Sequence, residues 1–111
     1  MPRLDFYADY QLFVKVKLMD TDVVLGRGED CTVQLPHERV SRHHAVIRFS
    51  DGGYWIEDTS RNGTRVNDRM IDEPALLHPG DRIYIERYVI VYRPDEAPSE
   101  NLTEETTQFD S

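Results

Sequence analysis

The chain predicts an all-β domain, either a sandwich or a barrel. Three observations say so. Short apolar stretches alternate at a period of two. Turn residues recur every few positions. No convincing run of helical period interrupts them. A length of 111 residues suits one domain with a modest core.

Residues 1–10 are mixed and carry no clear pattern. Gln11–Leu18 alternates, with Leu12, Val14, Val16 and Leu18 on one face and Phe13, Lys15 and Lys17 on the other, which predicts a half-buried strand. Asp20-Thr21-Asp22 turns the chain. Val23–Leu25 is a short apolar run that stops at Gly26-Arg27-Gly28. Glu29 and Asp30 turn it again, Thr32–Leu35 predicts another short strand, and Pro36 breaks it. Ala45–Ser50 and Tyr54–Asp58, joined by Asp51-Gly52-Gly53, make the clearest hairpin, because that turn accepts positive φ. Thr59–Asn67 reads as loop and short strand. Asn67-Asp68 suits a two-residue turn. Ala75-Leu76-Leu77 is brief and apolar, and His78-Pro79-Gly80-Asp81 is a turn. Arg82–Arg87 and Tyr88–Arg93 predict two final strands, ended by Pro94. Two packed inner faces would bury Leu12, Val14, Leu25, Ile47, Phe49, Ile56, Ile83 and Val91, or their neighbours.

Composition narrows the function. Net charge is −8, but residues 95–111 hold six acids and no base, leaving 15 acids against 13 bases in the rest. A nearly neutral body with a local arginine cluster argues against a general nucleic-acid binder, which would be basic over a whole face. No apolar run approaches a membrane span, and the N-terminus lacks a signal-peptide pattern. A single cysteine, Cys31, permits no internal disulfide and reads as a small buried hydrophobe. A cytoplasmic location is therefore expected. His37, His43, His44 and His78 have no spacing that builds a closed metal site, so neither metal nor cofactor is expected.

The chemistry concentrates in three loop stretches: Gly26-Arg27, Val40-Ser41-Arg42-His43-His44, and Ser60-Arg61-Asn62-Gly63-Thr64. They bring together guanidinium groups, hydroxyls, an amide and glycine-rich backbone. Arginine gives a planar fork of donors for phosphate, and a hydroxyl gives a short oriented bond. An asparagine amide can pair with both groups of an extended peptide. This set holds an oxyanion; it does not break a bond. Ser41 with His44 lacks a nucleophile elbow or an oxyanion-hole motif, so no enzyme activity is expected. Arg39, Arg65 and Arg69 read equally well as solvated surface.

Gly26-Arg27, Ser41-Arg42-x-His44, Ser60-x-Asn62-Gly63-Thr64 and Val66-Asn67, in this order and spacing, resemble the forkhead-associated (FHA) domain. Asp58, and the Pro79-Gly80-Asp81-Arg82-Ile83 turn and strand, fit the same pattern. The resemblance covers roughly residues 11–93. It implies an eleven-stranded β-sandwich with functional loops at one end, spanning residues 1–94, and recognition of phosphothreonine on a protein or peptide partner. By motif position, Arg27 and Ser41 would contact the phosphate, with Arg42 adding a further contact. Arg61 stands where the family often has threonine, and would add another contact or face solvent. Asn62 would bond the peptide main chain. Gly26, His44, Ser60, Gly63, Thr64 and Asn67 would shape the site. The implied role is a reader in Ser/Thr kinase signalling, with no nucleic acid or membrane involved. A phosphate-independent interaction or assembly module is the alternative.

Residues 95–111 build no apolar face and predict an acidic, disordered tail or linker. Glu104-Glu105-Thr106-Thr107 resembles the phosphorylated Glu-Thr-Thr segment of small actinobacterial FHA regulators, although that segment precedes its domain. Phosphorylated Thr106 or Thr107 would then bind the Arg27/Ser41 site, in cis or from a neighbouring molecule. The plain reading of the same stretch is a linker.

Overall fold

Eleven strands in two sheets enclose one core in the computed structural model, which describes residues 2–93. The strands are β1 (Arg3–Ala8), β2 (Gln11–Lys17), β3 (Val23–Gly26), β4 (Val33–Gln34), β5 (Ala45–Ser50), β6 (Gly53–Asp58), β7 (Arg65–Val66), β8 (Arg69–Met70), β9 (Ala75–Leu76), β10 (Arg82–Ile85) and β11 (Tyr88–Arg93). The all-β sandwich and its strand number are therefore as expected. One sheet has the order β2-β1-β11-β10-β7-β8 and the other β4-β3-β5-β6-β9. Among the described residues, no helix is long and apolar enough to cross a membrane. The tail, with Thr106 and Thr107, lies outside the described residues.

The period-two stretches form the inner faces. Leu4, Phe6, Ile83, Ile85 and Ile90 from one sheet meet Leu25, Ala45, Ile47 and Ile56 from the other, all fully buried. Burying an aliphatic side chain contributes about 1.5–3 kcal/mol, so this row fixes the packing.

Two expectations fail at the edges. Leu12 is 44% exposed and Phe49 is 42% exposed. The β1–β2 register shifts between Phe6 and Tyr7: Phe6 opposes Val14, while Tyr7 opposes Leu12. This bulge spends one residue, Phe13, and turns Leu12 outward with Tyr7. Phe13 packs its ring on Phe6 and Tyr88, with centroids 6.2 and 6.0 Å away. Phe49 sits beside the Asp51-Gly52 turn at the closed end of its hairpin, where it covers the Tyr54 ring at 5.0 Å. Val91 is buried on the outer face of its sheet, and its neighbours Ile90 and Tyr92 enter the core instead.

Strand β1 had no sequence signal strong enough to assign. Its outward residue Asp5 is buried, paired with Arg3 at 2.9 Å and Arg93 at 3.4 Å. The turn to β2 is Asp9-Tyr10, with φ of 52° and 69°. That is the left-handed pairing of a two-residue hairpin turn, made without the usual Asn-Gly.

Candidate phosphopeptide site

The loops after β3, before β5 and after β6 meet at one end of the sandwich and are tied to each other by main-chain bonds. Arg27 N donates to Ser41 O at 2.9 Å, Gly28 N to Arg42 O at 3.0 Å, and His44 N to Leu25 O at 2.7 Å. This lacing needs Gly26. A Cβ there would stand 2.2 Å from the Arg42 carbonyl oxygen, too close for any side chain.

His44 is fully buried and joins two of the loops. Ser41 N donates to its Nδ1 at 3.0 Å. A main-chain N–H can only donate, so Nδ1 accepts and Nε2 carries the proton. Nε2 then donates to Gly63 O at 2.8 Å. Gly63 has φ +99°, a conformation that disfavours a side chain. Both residues, expected to shape the site, lie at this junction of the loops.

Asp58 closes the third loop. Its Oδ1 accepts from Ser60 N at 3.1 Å, Ser60 Oγ at 2.5 Å and Thr64 Oγ1 at 2.8 Å. The Ser60 hydroxyl in turn accepts from Gly63 N at 2.7 Å. Ser60 and Thr64 therefore hold the loop, and Thr64 is fully buried.

These braces present a pocket of 340 Å³ lined by Arg27, Glu38, Arg39, Val40, Ser41, Arg42, Arg61 and Asn62. Four arginines face one carboxylate, a local charge of +3. Arg27 is exposed, and its Nε donates to Val40 O at 2.9 Å. Among the described residues its two terminal nitrogens make no hydrogen bond or ion pair. Ser41 Oγ accepts from Arg61 N at 2.9 Å, leaving its own proton to donate. Asn62 is exposed, and its Nδ2 donates to Arg39 O at 2.7 Å.

All five residues expected to contact the phosphopeptide thus converge on this pocket. Asn67 does not. It sits at φ 56° in the β7–β8 turn, donating to Asp81 Oδ1 at 3.0 Å and accepting from Arg82 N at 3.1 Å. It clamps strand ends. Sequence reasoning left Arg39 as one surface arginine among several and did not identify Glu38. Only the path of the 35–44 loop puts them on the pocket wall.

Beside the pocket, Asp30, Cys31 and His43 bring their ligand atoms within 4.8 Å of one another. Their groups already have partners. His43 Nε2 bonds Asp30 Oδ2 at 2.9 Å, and Cys31 Sγ donates to Arg42 O at 3.1 Å. The hydrogen bond from His43 holds the Asp30 carboxyl below its ordinary value, and burial pushes the Cys31 thiol up. Cys31 is half-buried, less so than expected.

Known proteins resemble this chain in sequence and in fold. A family model described as FHA domain matches residues 23–86. The E3 ubiquitin-protein ligase CHFR of Danio rerio is 33% identical over 93 residues, 79% of this chain and 14% of the ligase. The FHA domain-containing protein FhaA of Mycobacterium tuberculosis is 35% identical over 78 residues, 69% of this chain and 15% of that protein. The chain thus spans about a seventh of the length of these curated relatives. The crystal structure of the FhaA FHA domain complexed with the intracellular domain of Rv3910 superposes with a TM-score of 0.74 at 30% identity, covering 84% of this chain and all of that one. Mycobacterium tuberculosis EmbR, in complex with a low affinity phosphopeptide, does so with a TM-score of 0.73 at 27% identity, covering 87% of this chain and 25% of that one. Sequence model, relatives and fold agree on one assignment, and the chain belongs to the FHA domain family.

Proposed function

We propose that this chain is a phosphothreonine-dependent reader of protein partners, a binding module without catalysis of its own, working in cytoplasmic Ser/Thr kinase signalling. The observation that carries it is the pocket at the loop end. Arg27 is held by its Nε, its two terminal nitrogens have no protein partner among the described residues, and Ser41, Arg42, Arg61 and Asn62 line the same pocket. A phosphate dianion supplies the acceptors these donors lack. Asn62 pairs with the main chain beside the phosphothreonine. The phosphopeptide complex of EmbR supports the reading by likeness.

A charge-assisted hydrogen bond contributes about 1.5–3 kcal/mol net. Two or three of them, less the cost of ordering a peptide, give an affinity of about micromolar. The test is binding of the full chain to matched Thr, phosphothreonine and phosphoserine peptide libraries. Wild type should select phosphothreonine. Arg27→Ala should lose about tenfold to a hundredfold, the equivalent of one such bond, in a protein that remains folded. Equal binding by wild type and Arg27→Ala would favour a phosphate-independent module.

Within this proposal residues 1–94 are the reading domain and 95–111 an acidic tail that regulates it. Phosphorylated Thr106 or Thr107 occupies the Arg27/Ser41 pocket and excludes an external phosphopeptide. A chain phosphorylated at both threonines should then bind that peptide more weakly than the unmodified chain, and equal binding would remove the tail from the mechanism.

A further inference from the structure

The outer face of the six-stranded sheet gathers seven of the chain's 13 basic residues against two acids. Arg3 and Arg93 flank the buried Asp5, and Arg87 pairs with Asp9. Lys15 and Lys17 stand on the same face, since Lys15 opposes Asp5 and Lys17 opposes Arg3. Arg82 faces outward opposite Val91, and Arg65 lies over the Tyr84 ring at 4.1 Å. Among the described residues, Lys15, Lys17, Arg65 and Arg82 have no carboxylate partner.

Three of these cations, Arg82, Arg87 and Arg93, line with Asp9 a groove of 840 Å³ whose floor includes Tyr7, Tyr84, Val89 and Val91, and by register Lys15 and Lys17 on β2 and Arg65 on β7 flank it on the same face. Tyr10, at its rim, is fully exposed. A cationic border with an aromatic and aliphatic floor suits an extended acidic polypeptide that also carries apolar side chains.

The groove has a direction. Arg39 bonds Glu86 at 3.6 Å, and the Tyr88 hydroxyl donates to Pro36 O at 2.9 Å. The β10–β11 turn therefore lies at the loop end that holds the phosphopeptide pocket, and Arg87, Asp9 and Tyr10 mark the near end of the groove. Arg93 and Gly80 mark the far end. Arg93 is the last described residue.

We propose that the groove is the docking site of this chain's own acidic segment, residues 95–111, running back over the outer face of β11 from Arg93 towards Tyr10 and Arg87. Its six acids and absence of bases complement the border, and Leu102 supplies an apolar side chain for the floor. Length permits it. The run from Arg93 back to Tyr88 is about 17 Å at strand spacing, which about six extended residues cover. Tethering holds the segment at about millimolar effective concentration, so weak contacts suffice. This docking stands without the phosphothreonine reading. If that reading also holds, the groove leads Thr106 and Thr107 to the pocket end.

The test uses the full, unphosphorylated chain carrying Cys31→Ser and a spin label at Thr103→Cys. Amide signals of Tyr7, Arg87 and Val89 should broaden, while those of Arg48 and Trp55 on the other sheet stay sharp. High salt, or Lys15→Glu with Arg82→Glu, should restore the signals in a protein whose other resonances are unmoved. Equal broadening on both sheets, or decay only with distance from Pro94, would overturn the proposal. So would broadening that appears on an unlabelled, isotope-enriched chain mixed with the labelled one, since that places the segment on a second copy.

Discussion

Asp58 is the residue on which the third loop turns. Three donors converge on one of its oxygens, and no neighbouring group replaces it. Asp58→Ala should cost about 2–3 kcal/mol, since hydrogen bonds to a charged acceptor are the strong ones and Thr64 would be left buried without its partner. Urea denaturation reads this directly. Because Ser60 also holds Gly63, the same variant should weaken phosphopeptide binding although Asp58 does not line the pocket. At this scale the sequence was informative where a residue type has one use. Gly26 and Gly63 meet conditions only glycine satisfies easily. Arginines are different: Arg39 lines the pocket and Arg69 sits on a short hairpin, and nothing local to either position distinguishes them.

The β1–β2 hairpin shows what an alternating pattern hides at the scale of an element. Leu12 and Val14 belong to one face by period, yet the bulge at Phe13 separates them. Leu12 opposes Tyr7 on the outside, and Val14 opposes Phe6 against the core. Leu12→Lys should therefore change stability by less than about 0.5 kcal/mol. Val14→Lys should cost about 2 kcal/mol or more, because an ammonium would enter an apolar site without a partner. Equal effects in thermal or chemical denaturation would mean an unbroken register. By contrast the β5–β6 hairpin follows its sequence closely. Asp51 and Gly52 adopt φ of 53° and 78°, as expected for a tight turn of this composition.

Across the whole molecule, tyrosines join the two sheets. Tyr54 and Tyr92 approach across the core with centroids 6.3 Å apart, and Tyr88 reaches Pro36. Burial pushes the Tyr54, Tyr88 and Tyr92 hydroxyls up from their ordinary value of 10. Below 10 the phenols are protonated whether the chain is folded or not, and stability does not change on their account. Above 10 the unfolded chain loses these protons first, so stability falls as pH rises through the folded values. Denaturation at pH 9 and pH 11 should give a lower midpoint at the higher pH. In a chain carrying Tyr7→Phe, Tyr10→Phe and Tyr84→Phe, tyrosinate absorbance should rise in step with unfolding, and a gradual rise while that chain stays folded would show the three remaining phenols to be accessible.

The sequence alone determined the fold class, most strands and the residues of the three loops. Those features depend on period, on turn chemistry and on side chains whose chemistry is specific. The tertiary structure decided which surface each residue joined. It brought Arg39 and Glu38 to the pocket and sent Asn67 to a strand clamp. It also turned Leu12 outward and gathered scattered Lys and Arg residues into one face. The physical reason is that these placements depend on loop paths and a strand bulge, set by contacts between residues distant in the chain, which no local pattern records.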